Sequence, residues 1–186
     1  KAKATEFGKQ HGFSSTSSYR DFKNNIPLQT YEDIFPYIEK SIAGEDNILW
    51  PGKTQWFSKS SGTTNAKSKL IPVTEESIQD CHYKGGKDLL SIYYHNNPSA
   101  KLFSGKHLIL GGNTSVNKLN NGSYFGDLSA IIVKNLPFWA EIRRTPNRQI
   151  TLMDNWEEKI QKMAEASLQE DVKIIGLSFT KTLYIC

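Results

Sequence analysis

The strongest constraint on the fold lies between residues 55 and 74. An aromatic extended run, Gln55-Trp56-Phe57-Ser58, leads into five consecutive small residues, Ser60-Ser61-Gly62-Thr63-Thr64, and the chain resumes an extended course at Leu70-Ile71-Pro72-Val73. Small polar residues bury too little to anchor a core, so the stretch reads as strand, loop, strand. Thr74 follows as an N-cap, with Glu75 and Glu76 in the first turn of a helix, where carboxylates meet the positive end of the helix dipole. Along that helix Ile78, Cys81, His82, Gly85, Leu89, Ile92 and Tyr93 fall at helical spacing, which predicts a stripe packed on a core.

The same alternation continues on either side. Upstream, Tyr31, Ile34, Phe35 and Ile38 recur at helical spacing behind Thr30 as an N-cap, with Glu32 and Asp33 in the first turn and Pro36 inside. Downstream, His107-Leu108-Ile109-Leu110 reads as a buried strand ending at Gly111-Gly112, and 113–123 as an exposed polar loop. Asp127 or Ser129 caps a helix through Ile131, Ile132 and Val133 that stops before Pro137. A helix from Asp154 places Trp156, Ile160, Met163, Ala164 and Leu168 on one face and leads into Val172-Lys173-Ile174-Ile175-Gly176 as a buried strand. Strands alternating with helices predict an α/β fold, a sheet flanked by helices. No repeat and no long linker divides the 186 residues, so the expectation is a single partial domain.

Closely spaced backbone N–H groups, four hydroxyls and the freedom of Gly62 suit Ser60–Thr64 to wrap a phosphate, and Lys59, Lys67 and Lys69 add positive charge on the flanks. On residue types alone, a solvated turn between strands explains the loop equally well. Two competing phosphate motifs fail on spacing. Gly52-Lys53-Thr54 ends like a P-loop, but Asn47 stands where its first glycine belongs; Gly105-Lys106 has Ala100 at that position and His107 in place of Ser or Thr. No Gly-x-Gly-x-x-Gly fingerprint follows any strand.

Bulk properties exclude other classes. The net charge of +4 is spread among acidic residues instead of forming a basic stripe, which argues against a nucleic-acid partner. No run of about 18 apolar residues is present, which argues against a membrane partner, and the first residues lack the apolar stretch of a signal peptide. Cys81 and Cys186 form neither a disulfide framework nor a zinc-ligand pair, so a reducing, cytoplasmic setting is expected. Lys1 instead of Met and the apolar ending Tyr184-Ile185-Cys186 read as cut ends, hence a fragment. No metal site emerges: His82 lacks a second ligand at helical spacing and reads as a packed core histidine. Arg143-Arg144-Thr145-Pro146 reads as a solvated loop in preference to an anion site, and Trp50, Trp56 and Trp139 as core and strand anchors. No carboxylate pair stands out for acid–base work, so no catalytic residue is assigned.

Ser60-Ser61-Gly62-Thr63-Thr64 with Lys69 resembles the phosphate-binding motif of acyl-adenylating enzymes. The longer block, from Leu49-Trp50-Pro51-Gly52 through Trp56–Lys69 to Ile71-Pro72-Val73-Thr74, looks like the bacterial branch of the GH3 auxin-responsive promoter family. So do Cys81–Asp88, Gly126–Ile131 and Trp156–Ile160, and the resemblance runs to about Gly176. It implies part of the large amino-terminal domain of an ATP- and Mg²⁺-dependent acyl-acid amido synthetase, whose substrates are a small carboxylic acid and an amino acid or other amine. By the same resemblance Ser60, Ser61, Gly62, Thr63, Thr64 and Lys69 bind the ATP phosphates. The family pattern continues with a Gly-Val-Pro-(Ser/Thr)-Trp element where this chain reads Leu177-Ser178-Phe179-Thr180-Lys181, and the carboxy-terminal lid domain is absent. The expectation is therefore an inactive fragment; the alternative is a non-catalytic nucleotide- or phosphate-binding module.

Overall fold

The structure is a computed structural model, and it describes residues 1–60, 68–110 and 116–177. The chain forms two compact units. Residues 1–74 and 117–125 build the first; 75–116 and the chain from 126 onward build the second.

The first unit begins with α1 (Glu6–Gln10), α2 (Tyr19–Asn25) and α3 (Tyr31–Ala43). Local capping explains the last two. Ser18 and Asp21 close a reciprocal capping box on α2, and Thr30 and Asp33 do the same on α3, satisfying backbone donors that a helix start leaves open. The α3 helix ends at Gly44, whose φ of 98° is the left-handed turn a residue with a Cβ adopts at a cost. Backbone bonds from Glu6 to Asn47 (2.8 Å) and from Phe7 to Ile48 (3.1 Å) stitch α1 to the segment after α3, and Ile48 is buried there.

Four strands complete this unit: β1 (Trp56–Lys59), β2 (Leu70–Val73), β4 (Val116–Lys118) and β5 (Tyr124–Gly126), in the order β2-β1-β5-β4. The β1 and β2 strands are antiparallel, with Trp56 opposite Val73 and Lys59 opposite Leu70. Phe57 is fully buried, a contribution of about 1.5–3 kcal/mol from apolar burial. Trp56 stacks on Tyr124 across the sheet at 5.0 Å between ring centroids. The polar stretch expected to be an exposed loop, 113–123, thus supplies β4, and β5 follows directly after it; three-residue strands are too short to show a period of two.

The second unit opens with a helical segment from Glu75 to Asn96. Its Ser77–Tyr83 portion is wound as a π-helix and continues as α4 (Lys84–Asn96). Burial corrects the predicted stripe. Ile78 is buried within the π-wound portion, whereas Cys81, Leu89, Ile92 and Tyr93 are exposed, no side chain of α4 is buried, and His82 is only partly covered. A parallel sheet, ordered β6-β3-β7, is built from β3 (Lys106–Leu110), β6 (Arg144–Thr145) and β7 (Val172–Leu177). The sheet lies in sequence among α5 (Leu128–Lys134), α6 (Phe138–Arg143), α7 (Arg148–Thr151) and α8 (Trp156–Leu168).

Further expectations need correction here. The helix expected from Asp154 starts at Trp156 as α8, capped by Asn155, which accepts a hydrogen bond from the Glu158 amide, and the inward face carries Lys159 and Met163 while Leu168 is exposed. The β7 strand exists as expected, but Ile175 points outward at 62% exposure, so the strand is not buried on both faces. Trp139 is exposed on α6 and anchors no core. Asp127 occupies the cap position of α5 without a capping hydrogen bond from its side chain. Arg144 lies on a strand and not in a solvated loop. It is 4% exposed, its guanidinium bonded to Glu141, to the Pro146 carbonyl and to Thr151.

Candidate functional site

Ser60 and Lys69 stand at the two feet of the small-residue loop. The Ser60 amide donates to the Lys69 carbonyl (2.9 Å), and the Lys69 amide donates to the Ser60 hydroxyl (3.0 Å). This pair extends the β1–β2 ladder by one rung and closes the stem from which the loop emerges. Ser61, Gly62, Thr63, Thr64 and Lys67 lie outside the described residues. Of the phosphate-binding set predicted from sequence, the structure therefore brings Ser60 and Lys69 together.

Lys69 is held from the side by α3. Its ammonium lies 3.0 Å from a Glu32 carboxylate oxygen and 4.5 Å from the centroid of the Tyr31 ring, a salt bridge and a cation–π contact on one cation. The Tyr31 hydroxyl meets the next residue of the strand, lying 3.1 Å from both the amide and the carbonyl oxygen of Leu70, donating to one and accepting from the other. The hydrogen bond from Lys69 is the largest influence on the Glu32 carboxyl and holds it below the usual glutamate range. Asp33 is committed to the cap: its carboxylate accepts from the Thr30 amide (2.8 Å) and hydroxyl (2.7 Å), which lowers its pKa as well.

Tyr31 and Glu32 were not legible as site residues. They sit 38 and 37 positions before Lys69 and fit a helix start in their own right, so no local spacing signals their second role. Elsewhere, among the described residues no three His, Cys, Asp or Glu side chains converge as a metal site, and no helix is long and apolar enough to cross a membrane.

Sheets flanked by helices, with the β1–β2 stem in the first unit, define an α/β protein. The model of the GH3 family N-terminal domain matches residues 1–182, and the chain belongs to the GH3 family. Among curated relatives, the jasmonoyl–L-amino acid synthetase JAR6 of Nicotiana attenuata is 27% identical over 143 residues, covering 68% of this chain and 24% of its own length. The indole-3-acetic acid-amido synthetase GH3.15 of Arabidopsis thaliana is 26% identical over 170 residues, covering 88% of this chain and 28% of its own. A solved GH3.15 acyl acid amido synthetase superposes with a TM-score of 0.70 at 24% identity over 93% of this chain, which establishes the shared fold. A second, in complex with 2,4-DB, gives 0.61 at 26% identity over 73% of this chain. The chain spans less than a third of the length of these relatives, from 23% to 30%.

Proposed function

We propose that the chain is the amino-proximal portion of an ATP-dependent acyl-acid amido synthetase of the cytoplasm. In this reading Ser60 through Thr64 and Lys69 hold the β- and γ-phosphates of ATP. A substrate carboxylate attacks the α-phosphorus, pyrophosphate departs, and an amine such as an amino acid then takes the acyl group as AMP leaves. A carboxylate resists acyl transfer because its leaving group is oxide; esterification to AMP supplies a good one, and the protein contributes alignment and charge stabilisation.

The observation that carries this reading is the closed stem between Ser60 and Lys69, which sets a lysine at the mouth of a Ser/Thr/Gly loop, in a chain that matches the family's amino-terminal domain from residue 1 to 182. The names of the relatives, amido synthetases of jasmonate and of indole-3-acetic acid, support the reaction class. Mg²⁺ fits this arrangement as an ion carried by the triphosphate, since such ions take much of their coordination from phosphate oxygens and water.

The test is calorimetric titration of the chain with ATP·Mg²⁺. Lys69→Ala and Thr63→Ala are expected to weaken binding by about ten- to a hundredfold, because a hydrogen bond to a charged group contributes about 1.5–3 kcal/mol. Equal affinity in all three proteins removes the site assignment. The chain alone is expected to give no acyl-dependent ATP–pyrophosphate exchange, since it covers 30% of the superposed GH3.15 chain and aligning the reactants takes more walls than this portion supplies. ATP binding without carboxylate-dependent exchange in a protein extended to the length of its relatives makes this a non-catalytic phosphate-binding module instead.

A further inference from the structure

We propose that Glu32 is a built-in competitor for the phosphate at Lys69, and that Tyr31 is the positioning residue that keeps the lysine at the loop mouth when Glu32 is displaced. The proposal rests on the phosphate-binding reading of Lys69 and goes beyond it, because it assigns a role to the start of α3.

Three observations converge. The Lys69 ammonium is not free in solvent: it is bonded to Glu32 at 3.0 Å and lies over the Tyr31 ring. The pair is built to open, since the Glu32 side chain is 72% and the Lys69 side chain 39% exposed, and water screens such ion pairs to a small net value. The partner that stays is anchored, because the Tyr31 hydroxyl is bonded to the Leu70 backbone and its helix starts in the Thr30–Asp33 capping box. With Asp33 bound to Thr30, Glu32 is the first-turn carboxylate left to meet the lysine.

The exchange conserves the lysine's bonding. A triphosphate brings several acceptor oxygens and more than one negative charge, so it replaces one carboxylate contact with stronger ones. The aromatic ring offers its face to the cation throughout and loses nothing when the counter-ion changes. Glu32 then acts in two ways: it spares the empty site an unpaired cation, and it lowers by a small factor the affinity of any anion that must displace it from Lys69.

The experiment is a double-mutant cycle on the full chain, with binding of ATP·Mg²⁺ and of inorganic tripolyphosphate measured by calorimetry at low ionic strength. Glu32→Gln is expected to tighten both ligands by about two- to fivefold, the range that an exposed ion pair's strength converts to. In the Lys69→Ala background the same substitution is expected to change nothing. A gain of affinity is not the mark of a misfolded variant, so the readout separates competition from structural damage. Tyr31→Leu is expected to weaken both ligands. If Lys69→Ala weakens binding but Glu32→Gln does not tighten it, the competition is overturned and the phosphate site stands. An equal gain with and without Lys69 also overturns it, as general repulsion. If Lys69→Ala binds like the unmodified chain, the phosphate reading falls and this inference with it.

Discussion

Arg144 is a charged side chain with almost no water around it, and its neighbours show why the chain tolerates that. Its Nη1 donates to the Pro146 carbonyl (3.0 Å) and the Thr151 hydroxyl (2.5 Å), while Nε and Nη2 grip the Glu141 carboxylate, which Arg148 also reaches at 3.4 Å. Arg148 still faces Glu141 when Arg144 is removed, but the buried Thr151 hydroxyl and Pro146 carbonyl lose a donor, so Arg144→Met is expected to cost about 1–3 kcal/mol in urea denaturation. Burial pushes the Glu141 carboxyl upward, but the hydrogen bond and charge of Arg144, joined by Arg148, outweigh it and leave the pKa below the ordinary 4.5. Because the folded value lies below the unfolded one, the stabilisation is complete above the ordinary value and is lost as pH falls through the lowered one. The urea midpoints of the unmodified chain and Glu141→Gln are therefore expected to differ at neutral pH and to converge in acid. At the other extreme Tyr83, whose hydroxyl donates to the Ile132 carbonyl at 2.9 Å, is raised by desolvation, then by Glu75, to about 12. In an ultraviolet titration it is expected to ionise near that value, as a late component that Tyr83→Phe removes.

Helices and strands carry the argument at the next scale. Thr30→Ala is expected to lower stability by about 1 kcal/mol, the usual value of an N-cap, and to reduce phosphate affinity as well, because the same turn holds Tyr31 and Glu32. The first effect is read from thermal melting and the second from tripolyphosphate titration. What the sequence revealed at this scale depended on how local each cause was. The α3 cap, the β1 and β2 runs and β3 are specified by residues within a few positions of one another, and they appear where periodicity and capping put them; α8 forms as well, but with a later start and a different inward face. The α4 stripe failed because spacing shows which side chains share a helix face, as Leu89, Ile92 and Tyr93 do, and not whether anything packs against it; no side chain of α4 is buried. The β5 strand was invisible because it pairs with a distant β1, and β4 because it is a three-residue edge strand that pairs with β5 alone, while Arg144 was misplaced because its partners lie in the packing of α6, β6 and α7. At the site, the loop feet were legible from residue types and family resemblance. The clamp from α3 was not, since nothing in the sequence near Lys69 encodes it.

For the molecule as a whole, the division into two units predicts how damage spreads. Among the described residues Phe57 is the largest fully buried side chain, and it belongs to the first unit, so Phe57→Ala is expected to cost about 3–5 kcal/mol. Hydrogen exchange resolved by peptide is expected to show the loss first in β1, β2 and β5, with the amides of β3 and β7 less affected. The strand order β2-β1-β5-β4 has a further consequence, in time instead of space. The flank of β1 away from β2 is taken by β5, which is synthesised only after α4 and β3 of the other unit have been made. At ribosomal rates on the order of 5–20 residues per second, the nascent β1 edge stays open for several seconds. During that interval Trp56, which ends stacked on Tyr124, has no aromatic ring from β5 to meet, and the growing chain offers a chaperone or a neighbouring nascent chain a bare strand edge.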